Sequence, residues 1–163
     1  MPLSSAAIDV ALISDFIRQP VNGKIAVTGS LTGDIVLAVG GVTEKLRSVM
    51  DPLLGMTGAC IPWQNKNDVS PLLINTEAEF VLQADIPGIR LFRAAGGKAP
   101  FDIFFCKTKW NVYKIMMGLD QEEVERRMAA RCRRDHQNHP AQAAPNPDAD
   151  EGQSADVMPA DPV

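Results

Sequence analysis

The stretch VTGSLTGDIVLAVGGVTEK, Val27 to Lys45, decides how this chain is read. Around and within it lie two runs of strand length and composition, Lys24-Ile-Ala-Val-Thr28 and Ile35-Val-Leu-Ala-Val39. Thr32-Gly33-Asp34 supplies turn residues between them, so the two runs read as a hairpin. Gly40 and Gly41 close the second run, and a helix is predicted from Val42 to about Leu54, with Pro52 distorting its last turn. At about 100° per residue, Val42, Leu46, Val49 and Leu53 share one face and Glu44, Arg47 and Ser48 the opposite one. Lys45 falls about 60° from the apolar centre, on its shoulder. A lysine placed there is able to bury its stem and part of its ammonium. Burial disfavours the charged form, and an uncharged lysine is a general base. The alternative is a lysine whose stem lies along the helix edge while its head stays in water.

Outward from this stretch, residues 4–18 read as a helix whose apolar face is Ile8, Ala11, Leu12 and Phe16. Ser4 and Ser5 are good N-cap types, Pro20 ends the helix and Asn22-Gly23 makes a turn. Downstream, Thr57–Ile61 is a short buried-type strand stopping at Pro62, and Asn65 is placed to cap a helical turn with Asp68 three residues on. A strand is predicted around Phe80-Val-Leu82, and 87–100 reads as loop. Phe101–Cys106 is a strand, a helix covers about 109–117, and Gly118 interrupts it. Asp120 and Glu123 resemble a capping box for a helix to about Arg134. The order of elements predicts an α+β fold, a mixed sheet with helices packed on it. From His139 the composition is Ala, Pro, Asp, Gln and Ser with almost no large apolar residue. The expected division is therefore a domain over 1–138 and a disordered acidic tail over 139–163.

The chain has 163 residues, 45% of them apolar, which suffices for one core. A formal net charge of −4 argues against a nucleic acid or an acidic membrane as a partner of the whole surface. No apolar run is long enough to span a bilayer, and the N-terminus lacks a secretory or transit pattern. Cys60, Cys106 and Cys132 are odd in number and widely spaced, which fits a reducing compartment, the cytoplasm or an organelle matrix, and not secretion.

Read together, Thr28-Gly29, Val39-Gly40-Gly41, Lys45, Ile61-Pro62, Asn65 and Asp68 fall in an order that resembles the proteolytic domain of Lon-type proteases. "ALISDFIRQPV" looks like the helix that follows the nucleophile in that family, and "FDIFFCKTKWNVYKIMMG" is weakly similar to its last strand and helix. The resemblance implies a partial Lon-type domain and a serine-type endopeptidase working through a Ser-Lys dyad, a variant of triad logic. It also implies polypeptide substrates, a homo-oligomer or an ATPase partner, and ATP only through an ATPase module absent here; the residues themselves, with no Cys-x-x-Cys pair, lead us to expect no metal. Lys45 matches the catalytic lysine, Thr28 a threonine beside the dyad, and Gly40 and Gly41 the tight turn into the helix.

The nucleophile departs from the pattern. Counted back without a gap from Pro20-Val21, the family serine falls on Leu3. Ser4 requires a slip of one residue; Ser5 gives the better local match, Ser5-Ala6-Ala7. For both serines the alternative is helix capping. Ala38 stands where the family usually has proline. The chain also starts close to the nucleophile, so strands that precede it in the family are expected to be missing and a sheet edge to be exposed. These departures keep open an inactive scaffold or interaction subunit, and a Lon-like accessory domain of a DNA-processing ATPase.

Three further features read more plainly. Ala95-Gly-Gly-Lys98-Ala99 resembles half a phosphate loop, without the upstream glycine or the Ser/Thr, and reads as a turn. Cys132, His136 and His139 read as a fraying helix end rather than a metal site. Arg126, Arg127, Arg131, Arg133 and Arg134 alternate with Glu122, Glu123 and Glu125 nearby and read as a solvated helix, with nucleic acid as the alternative.

Overall fold

The structure, a computed structural model, describes residues 4–69, 74–78, 88–94 and 101–138. A two-residue strand, β1 (Ser4–Ser5), runs directly into α1 (Ala6–Ile17). β2 (Ile25–Val27), β3 (Ser30–Thr32) and β4 (Ile35–Leu37) follow, then α2 (Val42–Val49). A 3-10 turn over Pro52–Leu54 leads to β5 (Gly58–Pro62) and a second 3-10 turn over Trp63–Asp68. β6 (Ile74–Ala78), β7 (Ile89–Ala94) and β8 (Asp102–Cys106) precede α3 (Lys109–Met117) and α4 (Gln121–Asn138).

The main sheet has the order β2-β5-β8-β7-β6, parallel across β2, β5 and β8 and antiparallel across β8, β7 and β6. A small antiparallel sheet has the order β1-β3-β4. This is the mixed α+β arrangement expected from the sequence. The central strands are covered on both faces, as parallel strands require. In β5 and β8, side chains alternate between two cores. Ala59, Ile61, Ile103 and Phe105 pack with Val42 and Leu46 of α2, whereas Cys60, Phe104 and Cys106 pack with Val10, Val112, Tyr113 and Met116 of α1 and α3.

Several sequence expectations are corrected. The hairpin is not formed by the runs at 24–28 and 35–39. β4 pairs with β3 (Leu31 opposite Val36), and β2 lies in the main sheet beside β5. Gly29 makes the break between the two sheets: its φ of 144° is a conformation that side-chain-bearing residues avoid. α1 turns a different face inward from the one predicted. Ala6 and Val10 are buried and Ile13 and Ile17 pack against the core, whereas Ile8 and Leu12 are 60% and 64% exposed. The sequence carries two apolar stripes on this helix, and the packing of α3 and α4 against α1 selects one. The Tyr113 hydroxyl fastens it by donating to the Asp9 carboxylate. Burial, followed by that carboxylate, pushes the Tyr113 hydroxyl far above its ordinary value, so it remains a donor.

α2 stops at Val49, five residues short of the prediction, and Leu53 is 93% exposed rather than on the apolar face. Pro52 cannot donate to a helical carbonyl, and the Asp51 carboxylate accepts from the Leu53 amide (2.9 Å), starting a separate turn. The segment read as loop over 87–100 contains β7, paired with β8 from Ile89–Cys106 to Arg93–Asp102. The predicted strand at Phe80–Leu82, the half phosphate loop at Ala95–Ala99 and the tail 139–163 lie outside the described residues.

At the C-terminal end, α3 covers the predicted span. Thr108 and Asn111 form a reciprocal capping box, and Gly118 ends the helix at φ 74°. α4 has half of its predicted box. Asp120 Oδ1 accepts from the Glu123 amide (3.0 Å), but the Glu123 carboxylate faces Arg126 and Arg127 instead. Those guanidinium groups pull the Glu123 carboxyl down to about 2. His136 Nδ1 lies 2.9 Å from the carbonyl of Cys132, one helical turn back. Among the described residues, no helix is long and apolar enough to cross a membrane.

Candidate active site

The corner of the molecule where β2, β5 and α2 meet is built by backbone before any functional side chain is placed. Parallel pairing sets Val27 opposite Cys60, and the Thr28 amide continues the ladder by donating to the Cys60 carbonyl (3.0 Å). This fixes Thr28 at the end of β2. At Gly29 the chain turns away, and its carbonyl accepts from the amide of Ala6, the first residue of α1 (3.0 Å). A Cβ at Gly29 would lie 2.7 Å from Val36 Cγ1 and 3.3 Å from Pro62 Cγ, so three segments converge where only a hydrogen fits. Thr28 thus stands one residue from the start of α1, and Ser5 immediately precedes that start.

Ser5 has extended backbone angles (φ −81°, ψ 133°) at the N-cap position of α1, yet its hydroxyl makes no capping hydrogen bond. The side chain is half-buried. Ser4 lies in β1, its backbone opposite Leu31, and not in the helix as predicted.

From β4 the chain reaches α2 through Ala38–Gly41. Gly41 has φ 67° and occupies the N-cap position, and its carbonyl accepts the first helical bond, from the Lys45 amide (3.0 Å). The left-handed turn is therefore made by Gly41. Gly40 lies outside the positive-φ region, and a Cβ there would meet nothing within 4 Å. Val42 and Leu46 bury the inner face of α2.

An apolar cavity of about 190 Å³ lies under this helix, lined by Ala26, Val27 and Thr28 of the β2 segment, Val42, Lys45, Leu46 and Val49 of α2, and Ala59, Cys60 and Ile61 of β5. The structure therefore brings Lys45 and Thr28 to one cavity, and Ser5 is not among the residues lining it. Lys45 is exposed as a whole residue, which fits the predicted alternative of a lysine at the helix edge rather than a buried one. Cys60 belongs to the buried thiol pair Cys60 and Cys106. Burial pushes the Cys106 thiol well above its ordinary value, the condition of an inert core cysteine.

Asn65 plays a larger part than its spacing to Asp68 predicts. It caps no helix. It is 2% exposed, and its amide reaches across to the β4–α2 connection. Oδ1 accepts from the Val39 amide (2.9 Å), while Nδ2 donates to the Val39 carbonyl (2.9 Å) and to Asp68 Oδ2 (2.8 Å). Beside it, Gln64 Oε1 accepts from the Ala38 amide (3.1 Å), and Thr43 Oγ1 donates to the Asp68 carbonyl (3.0 Å). The Asn65/Asp68 spacing was visible in the sequence; their partner, Val39, was not.

A family model described as the Lon protease (S16) C-terminal proteolytic domain matches residues 2–86, a span holding Ser5, Thr28, Lys45, Asn65 and Asp68. This chain belongs to that Lon family. The chain is similar to "Lon protease homolog 2, peroxisomal" of Eremothecium gossypii, at 41% identity over 86 residues, 52% of this chain and 8% of that protein. It is similar to "Lon protease" of Clostridioides difficile at 38% over 84 residues, 50% of this chain and 10% of that one. An "Archaeal Lon protease" of Thermoplasma volcanium is 41% identical over 68 residues, 40% of this chain and 10% of its own. This Lon-family chain thus spans a tenth or less of the length of these relatives. No solved structure matches it.

Proposed function

We propose that this chain is the proteolytic part of a Lon-type serine peptidase, with Ser5 as nucleophile, Lys45 as general base and Thr28 beside them. The reading is supported by one juxtaposition: Lys45 and Thr28 line the same apolar cavity, and Gly29, next to Thr28, holds the start of α1 directly after Ser5. Ser5 is preferred to Ser4 because it adjoins the helix and its hydroxyl is not committed to a cap. In the proposed reaction Ser5 Oγ attacks a peptide carbonyl carbon while its proton passes to an uncharged Lys45 Nζ. Lys45 then gives that proton to the leaving amine as the C–N bond breaks, and water hydrolyses the Ser5 ester. The apolar cavity suits an apolar side chain of a polypeptide substrate. ATP enters this reading only through an ATPase module supplied elsewhere, with homo-oligomerisation and a reducing compartment as companion proposals. Residues 1–138 would form the folded unit and 139–163 a tail.

A second reading, an inactive scaffold with the same ancestry, is favoured by two observations: Ser5 does not line the cavity, and Lys45 is exposed. Labelling with an alkyl fluorophosphonate above about pH 8, mapped by mass spectrometry, separates the two. An adduct on Ser5 that is lost in Lys45→Ala supports the peptidase. An adduct on Ser4 moves the nucleophile by one residue, and no adduct on either serine establishes the scaffold.

A further inference from the structure

Val39 follows the end of β4, where, among the described residues, neither its amide nor its carbonyl meets a neighbouring strand; Asn65 meets both. One side chain therefore does for this residue what an adjacent strand would do. The direction of the amide is fixed by Asp68. Rotated by half a turn, Oδ1 would face the Val39 carbonyl and the Asp68 carboxylate, and the NH2 would face the Val39 amide. Only the observed orientation matches donors to acceptors, and because Asn65 itself is 2% exposed a mismatch at its amide is costly.

Two residues beyond Val39 stands Gly41, whose carbonyl takes the Lys45 amide. The same turn also holds the first turn of α2 through Thr43 and the preceding backbone through Ala38. The Trp63–Asp68 turn thus grips the approach to α2 at Ala38 and Val39 and the helix itself at Thr43. Lys45 lies two residues further on and faces the cavity. Asn65 does not line that cavity, so its influence on Lys45 passes through the backbone.

We propose that Asn65 is a positioning residue for Lys45: a buried amide, oriented by Asp68, that sets where α2 begins and so where Lys45 stands at the cavity. The proposal deepens the peptidase reading and rests on it for its catalytic meaning; the placement of the lysine is testable without it.

The test uses the full chain and the near-isosteric variant Asn65→Asp, which sets a carboxylate oxygen against the Val39 carbonyl and Asp68. Asp68→Ala is the milder companion, since it leaves both Asn65–Val39 bonds in place. Two readouts are taken under conditions where circular dichroism shows each protein folded. One is the rate of Ser5 phosphonylation between about pH 6 and pH 10. The other is the reductive methylation of Lys45 relative to Lys109 on α3, by mass spectrometry. Asn65→Asp is expected to slow phosphonylation by up to about 100-fold and to move its pH profile, the scale on which a misplacement of about 1 Å acts. The Lys45-to-Lys109 ratio is expected to shift in the same variant, with Asp68→Ala intermediate. A folded Asn65→Asp with wild-type labelling at both Ser5 and Lys45 overturns the proposal. If the wild type itself takes no adduct on Ser5 or Ser4, the peptidase reading fails. The methylation ratio then decides alone, an unchanged ratio refuting the positioning role and a shifted one upholding it. If Asn65→Asp does not fold, Asp68→Ala is judged by the same two criteria.

Discussion

Gly29 and Val36 pack so closely that a methyl group on Gly29 would stand 2.7 Å from Val36 Cγ1. This contact lets β3 and β4 fold back over the end of β5 while β2 stays in the main sheet. It also brings the Gly29 carbonyl within reach of the Ala6 amide. The strand bearing Thr28 and the helix following Ser5 are thus joined at one glycine.

Replacing that glycine tests the junction. Gly29→Ala must resolve a contact with the branched methyl of a buried valine at a φ of 144°. It is expected to destabilise the fold by about 3 kcal/mol, combining overpacking with backbone strain. Gly40→Ala has open space and an ordinary φ, and is expected to stay within about 0.5 kcal/mol of wild type. Urea midpoints of the two variants check the contrast; equal midpoints would show that the junction tolerates a side chain.

The face that α1 turns inward is checked with a pair of substitutions. Val10→Ala removes two methyl groups from a fully buried site and is expected to cost about 2 kcal/mol. Ile8→Lys, at an exposed position, is expected to change stability by less than about 0.5 kcal/mol. If Ile8→Lys proved the more damaging, the helix would present the opposite stripe in solution.

The hairpin turn is tied to α3 through Asp34, which accepts from Trp110 Nε1 (3.1 Å) and pairs with Lys109 Nζ (3.0 Å). The hydrogen bond with Lys109, then that with Trp110, holds the Asp34 carboxyl below its ordinary value of 3.8. Because the folded value is the lower one, the linkage contributes fully above pH 3.8 and is lost as the pH falls through the folded value. In a Trp63→Phe background, Trp110 fluorescence is expected to hold steady above that pH and to change below it. Asp34→Asn is expected to abolish the acid step.

How much of this was legible follows from where each element's information lies. β5, β8 and α3 were read nearly to the residue, because an apolar run buried on both faces and a helix between Thr108 and Gly118 are local patterns. β3 has a single apolar residue, Leu31, and β7 is broken by Arg90 and Arg93, so both depend on partners that no local pattern names. α1 offered two apolar stripes, and only α3 and α4 choose between them. At the candidate site, Thr28 and Lys45 were placed together by the order of their motifs. The helix period leaves two places open for Lys45, and what packs over the helix selects the exposed one. The spacing of Asn65 to Asp68 predicts a cap, and the structure differs, since an asparagine amide has the same chemistry whether it faces its own turn or a strand end 26 residues away.

One small bond joins positions 38 and 64. Ala38 spends its N–H on the Gln64 side chain, whereas the proline usual in this family at that point has no N–H to give. A proline at 38 would hold the approach to α2 by its ring and leave the Gln64 carboxamide without a task; an alanine leaves that work to the glutamine. In this chain, then, the start of α2 is steadied by a side chain of the neighbouring turn and not by a ring in its own backbone.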